Sequence, residues 1–188
     1  MADRFRVTGG VAVQGRVRPA GNKNAALPMI AATLAADGPS EVSNVPRIKD
    51  VEALLELVAS LGTDVAWVGD HTVRIDPSAA RSRPLDPALC ADIRASILLA
   101  GPLLARFGRV TLPPPGGDVI GRRRLDTHVL ALEHLGVDVD IGAEYHMEAR
   151  QLRGADVFLD EPSVTATENA LVAAARAEGR TVLRNAAS

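Results

Sequence analysis

The chain has 188 residues, 47% of them hydrophobic and 23% charged, which describes a folded globular chain of one or two domains and excludes a disordered one. A chain this long buries roughly 70% of its unfolded surface and needs no disulfide or metal staple, and the single Cys90 cannot pair within it. With 21 basic against 23 acidic residues, no apolar run of membrane-spanning length and no secretory signal in MADRFRVTGG, nucleic-acid and membrane partners lose weight and a cytoplasmic location is expected.

From the N-terminus, the first segment with chemical content is RPAGNKNAALPMIAATLA, where a glycine turn opens a helix and sets Lys23 and Asn24 near its start. Unpaired amides of a first helical turn favour a phosphate or carboxylate, and a lysine adds a point charge; a solvated lysine beside a helix cap explains the same residues. Lys23 and Lys49 stand against 19 arginines, a bias that a GC-rich genome produces, so arginine alone does not mark a phosphate site. In VEALLELVASLGTDVAWVGDHTVRID, Val51, Leu54, Leu55, Val58 and Leu61 share one helical face and Gly62 supplies the stop before two strands.

In DIRASILLAGPLLA, Arg94 interrupts an apolar helix; buried, it requires an anion, whereas at a helix end it reaches water. PPPGGDVIGRRRLDTH predicts a loop with few contacts of its own, carrying Asp118 at its tip and Arg122, Arg123 and Arg124 behind it. That pattern suits a mobile acid over cations, and equally a surface turn. DEPSVTATENALVAAA places Ser163, Thr165 and Thr167 before a helix with Glu168 following, which is either a capping box or a set of hydroxyls and amides offered to a diphosphate. His71, His128, His134 and His146 lack metal-ligand spacing, and no Walker loop, GxGxxG or GxSxG occurs, so neither a metal site nor a cofactor is expected.

The organisation is an internal repeat. Helix, glycine, short strand and turn recur around Gly38, Gly108 and Gly179, spaced 70 and 71 residues apart, and a helix, Leu-Gly, Asp-Val strand and further strand recur around Gly62 and Gly136, 74 apart. Each full unit reads β-α-β-α-β-β, an α+β unit that buries its sheet against its own helices, and three such units close around a shared helical core. The third unit reaches Ser188 after its first helix and strand, so further chain or another capping partner is expected to cover its apolar face.

GNKNAALP, RASILLAGPLLARFG, PGGDVIGRRRLDTHVLALEHLG and PSVTATENALVAAARAEGRTVLRNAA, in this order, resemble the bacterial enolpyruvyl (1-carboxyvinyl) transferases that act on UDP-N-acetylglucosamine in the first committed step of peptidoglycan synthesis. The resemblance spans essentially the whole chain. It implies an inside-out α/β barrel fold, with residues 1–20 as an N-terminal strand region, residues 21–188 as about two and a half repeats of the first domain, and the second domain absent. It also implies addition of a sugar hydroxyl to phosphoenolpyruvate followed by loss of phosphate, chemistry that needs cations and an acid and no metal or cofactor.

Carried over position by position, the resemblance implies that Lys23 holds the phosphoenolpyruvate anion and Asn24 the sugar side. Arg94 and Arg123 neutralise phosphates, with Arg124 beside them. Asp126 reads the uracil, and Ser163, Val164 and Thr165 line the diphosphate path. Asp118 takes the place of the family's usual cysteine as general acid, which implies insensitivity to epoxides of the fosfomycin type, since a carboxylate is a poor nucleophile beside a thiolate. Thr165 in place of the usual glycine, Arg124 in place of a proline and the lengthened PPPGG depart from the family pattern around the nucleotide. Those departures also suit enolpyruvyl transfer to another uridine nucleotide, as in nucleoside antibiotic biosynthesis. The remaining catalytic groups belong to the second domain, so the partners expected are a uridine nucleotide, phosphoenolpyruvate and the missing domain or a complementary chain. A non-catalytic nucleotide- or partner-binding remnant is the alternative. Lys23-Asn24 and the Asp118 loop argue against the related shikimate-phosphate enzymes, which usually carry serine after the lysine.

Overall fold

The computed structural model describes residues 4–117 and 125–187. The first unit comprises helix α1 (Lys23–Thr33), strand β1 (Ser40–Val42), helix α2 (Lys49–Ser60) and strands β2 (Asp64–Gly69) and β3 (Thr72–Asp76). Helix α3 (Pro87–Asp92) and a 3₁₀ segment (Arg94–Leu99) lead into the second unit: α4 (Ala100–Phe107), β4 (Arg109–Leu112), α5 (Asp126–His134), β5 (Asp138–Ile141) and β6 (Tyr145–Glu148). The third holds β7 (Asp156–Phe158), α6 (Val164–Ala174) and β8 (Val182–Arg184).

The repeat is visible in the sheets. Strand order β1-β3-β2 in the first unit matches β4-β6-β5 in the second, antiparallel throughout, with Val42 opposite Val73 and Leu112 opposite Tyr145 at corresponding ends. β7 and β8 pair in parallel across α6, as a β-α-β crossover requires. Each sheet turns one face inward: Val73 and Ile75 of β3, and Val110, Leu112 and Met147 of β4 and β6, join a core otherwise supplied by helices. The equivalent helices α1, α4 and α6 pack against one another at the centre. The sheets lie outside them, which is the inside-out order that the resemblance implies.

The helical face expected in α2 is the one buried, with Val51, Leu54, Leu55, Val58 and Leu61 all within the core. Each such side chain contributes about 1.5–3 kcal/mol by leaving water. Gly62, Gly108, Gly136 and Gly179 adopt left-handed φ of 90°, 71°, 91° and 91°, as stops between helix and strand. Gly38 does not; it lies beyond the end of α1 with open space where a Cβ would stand, so it marks the repeat without a steric need for glycine.

Three expectations are corrected. Residues 4–22 form no strand, and Phe5, Val7, Val11, Val13 and Val17 are exposed, because an apolar alternation becomes a strand only when a neighbouring strand takes up its backbone groups. Arg94 does not sit inside a helix: Ile93 is extended at φ −136°, ψ 137°, which ends α3 and makes Arg94 the first residue of the 3₁₀ segment. The glycine pair in PPPGG, expected to have few contacts, is tightly docked. The Gly116 and Gly117 amides donate to the Cys90 and Ala91 carbonyls at 2.9 and 3.0 Å, and a Cβ on Gly116 would collide with the Ala91 carbonyl.

Candidate functional site

The start of α6 is built around Ser163, whose hydroxyl caps the helix by accepting from the Ala166 amide at 3.4 Å. Glu168 stands five residues past the cap rather than three, so the expected capping box does not form. Burial raises the pKa of its carboxyl. In the same turn two hydroxyls part company. Thr167 donates back to the Ser163 carbonyl at 2.8 Å, while Thr165 Oγ1 faces α5 and lies 3.1 Å from His128 Nε2.

His128 is 2% exposed and is held from the other side by Asn169, whose Nδ2 lies 3.2 Å from His128 Nδ1. The orientation of Asn169 is fixed. The Gly101 amide donates to its Oδ1 at 2.6 Å, so its Nδ2 is the donor to both the Ile97 carbonyl at 3.0 Å and the imidazole. His128 Nδ1 therefore carries no hydrogen and Nε2 carries the proton, which it donates to Thr165. Burial, with a smaller contribution from the Arg94 guanidinium, pushes the His128 pKa down to about 4 and keeps the ring neutral.

Arg94 is half-buried at the head of the 3₁₀ segment, and Gly117, at φ 86°, packs over its backbone, where a Cβ would stand 2.9 Å from the Arg94 amide nitrogen. The foot of the loop is thus pinned beside Arg94. Asp118, Arg122, Arg123 and Arg124, which follow it, lie outside the described residues. Cys90 is buried beneath this loop foot, and desolvation pushes its thiol up to about 11, which makes it an inert core residue.

Asp126 opens α5 and is exposed, and the adjoining Thr127 donates to Asp160 at 2.6 Å, tying the start of α5 to the segment before α6. Lys23 and Asn24 stand at the start of α1, where the Asn22 side chain accepts from the Asn24 amide at 2.7 Å. The Lys23 ammonium pairs with Asp50 of α2 at 2.8 Å. The structure therefore joins Thr165 to His128, with Ser163 and Val164 in the same turn as Thr165, whereas Lys23 is turned toward Asp50.

Sequence reasoning weighed His128 only as a metal ligand and passed over Asn169 and Asp50. A signal existed for Asn169, which shares its helix face with the buried Ala166, Ala170 and Ala173, a polar residue on an apolar stripe. An open cleft of about 970 Å³ lies elsewhere and is lined by residues including Arg83, Arg109, Glu133, His146 and Glu148. It mixes acids and bases in an open trough and holds none of the site residues that the resemblance implies. Among the described residues no helix is long and apolar enough to cross a membrane.

The UDP-N-acetylglucosamine 1-carboxyvinyltransferase of Bradyrhizobium diazoefficiens is 60% identical over 185 residues, covering 98% of this chain and 43% of the relative. That of Treponema denticola is 48% identical over 184 residues, again covering 98% and 43%. The chain thus spans less than half the length of these curated relatives. Among solved structures, the enolpyruvyl transferase NikO from Streptomyces tendae aligns with a TM-score of 0.78 at 24% identity, covering 93% of this chain and 42% of that one. An EPSP synthase from Acinetobacter baumannii aligns at 0.70 and 21%, covering 90% and 40%. These two likenesses show the enolpyruvyl-transferase fold. A sequence profile for the family described as EPSP synthase (3-phosphoshikimate 1-carboxyvinyltransferase) matches residues 7–188, and the chain belongs to that family.

Proposed function

We propose that the chain supplies one wall of the active site of a UDP-N-acetylglucosamine 1-carboxyvinyltransferase, acting in the cytoplasm in the first committed step of peptidoglycan synthesis. The observation that carries this reading is 60% identity, over 98% of the chain, to a relative bearing that name. Thr165 and the start of α6 support it, because an oriented hydroxyl in the first turn of a helix suits a diphosphate.

In this reading the Asp118 carboxyl protonates the methylene carbon of phosphoenolpyruvate while the sugar 3-hydroxyl adds to the neighbouring carbon, giving a tetrahedral ketal. Loss of a proton and of inorganic phosphate then yields the enol ether. Lys23 and Arg123 balance the charge on the phosphoenolpyruvate anion and the departing phosphate. Asn24 faces the sugar, Asp126 reads the uracil, and Arg94, Arg124, Ser163, Val164 and Thr165 hold the diphosphate. For Lys23 to serve, the ligand anion competes with Asp50 for its ammonium. The groups that complete the cleft come from the remainder of the protein or a complementary chain, since reacting groups must converge within about 3 Å.

Calorimetric titration of UDP-N-acetylglucosamine into the 188-residue chain, with a parallel phosphate-release assay using phosphoenolpyruvate, tests both parts. Binding without turnover is the expected result. Turnover contradicts the single-wall reading, and absence of binding contradicts the nucleotide site.

A further inference from the structure

We propose that His128 is a positioning residue: held by Asn169 with its hydrogen on Nε2, it orients the Thr165 hydroxyl so that the hydroxyl hydrogen is presented to a phosphoryl oxygen of the nucleotide. This rests on the uridine diphosphate reading above and names what fixes one donor of that site.

The argument is one of hydrogen-bond direction. A threonine hydroxyl has one hydrogen, and which way it points decides whether the group attracts or repels an anion. The Gly101 amide fixes Asn169, Asn169 donates to Nδ1, and the proton is thereby left on Nε2. Thr165 Oγ1 accepts that proton at 3.1 Å, so its own hydrogen points away from the ring. With the opposite tautomer, Thr165 would donate to the imidazole and turn only lone pairs outward, which repel a phosphoryl oxygen. Thr167, one turn-neighbour away, shows the contrast: its hydrogen is consumed on the Ser163 carbonyl. The chain of contacts runs from the backbone of the 3₁₀ segment and α4 through α6 to α5 and back to α6, and each link is buried or half-buried. Burial keeps the ring neutral across the physiological range, so the orientation persists.

Two measurements on the 188-residue chain test this. Long-range 1H–15N correlation of the ligand-free protein is expected to show His128 protonated at Nε2 and bare at Nδ1 at neutral pH; a hydrogen on Nδ1 overturns the proposal. In titrations with UDP, Thr165→Val, an isosteric change at a half-buried site, is expected to weaken binding about tenfold, the size of one hydrogen bond to a charged group, while Thr165→Ser retains it. His128→Leu is expected to cause a similar loss with no further loss when combined with Thr165→Val, and His128→Gln, which can still donate to Thr165, to recover most of it. Unchanged affinity in Thr165→Val, or additive losses in the double variant, overturns the positioning role. A wild-type chain without affinity for UDP overturns the nucleotide reading instead, and the tautomer measurement then judges the orientation by itself.

Discussion

Two backbone groups, the Gly101 amide and the Ile97 carbonyl, meet on the Asn169 side chain, and the imidazole of His128 hangs from it, so the chemistry of the site begins with two buried polar side chains. The unfolded His128 ring takes up a proton near pH 6.5, whereas the folded ring resists until about pH 4. Between those values the unfolded state binds more protons, so stability is fully present above about pH 6.5 and falls as pH falls toward 4. The difference is on the order of 3 kcal/mol. Denaturant unfolding at a series of pH values is expected to show this slope in the wild type and a flatter one in His128→Gln; equal slopes contradict it. The same scale decides reactivity toward electrophiles. Cys90 is the single cysteine, buried with its thiol pushed up to about 11, and position 118 carries a carboxylate. Intact-mass measurement after incubation with a fosfomycin-type epoxide is expected to show no adduct, and an adduct on either residue contradicts the assignment. The carboxylate at position 118 was visible in the sequence as a departure within a motif. His128 and Asn169 were not, because their importance lies in three-dimensional convergence that spacing along the chain does not carry.

Among the elements, the glycine stops separate a steric requirement from mere recurrence. A Cβ on Gly108 would lie 2.8 Å from the Ala149 carbonyl oxygen and in left-handed backbone, whereas one at Gly38 meets nothing within 4 Å. Gly108→Ala is expected to cost about 1–2 kcal/mol and Gly38→Ala to stay within about 0.5 kcal/mol of the wild type in urea unfolding; equal effects contradict the distinction. The repeated β-hairpins and α2 could be read from the sequence because alternation and the 3.6-residue period are local signals. The break at Ile93 and the absence of a strand in residues 4–22 could not. The first depends on how two helices must turn to pack, and the second on whether a pairing strand is present.

For the molecule as a whole, the units are joined where α1 ends. Arg106, two residues before Gly108, donates to the carbonyls of Leu34, Ala36 and Pro77, and Arg176, three before Gly179, donates to the Ala35 carbonyl and pairs with Asp37. Cations from the second and third units thus gather at the negative end of the first unit's helix. Arg106 is half-buried and Arg176 exposed, so Arg106→Met is expected to cost about 2 kcal/mol and Arg176→Met less than about 1 kcal/mol in urea unfolding. The reverse order contradicts this account of the joint. The three-unit plan was legible from glycine spacing, while these arginines were hidden among 17 others that genome composition explains equally well.

Whether this molecule offers a nucleotide wall is decided by following the backbone amides of the 15N-labelled chain as UDP-N-acetylglucosamine is added. The largest shifts are expected around Arg94, at Asp126–His128 and at Ser163–Thr167. Shifts confined to the trough of Arg83, Arg109, Glu133 and His146, or no shifts at saturating nucleotide, would contradict the account.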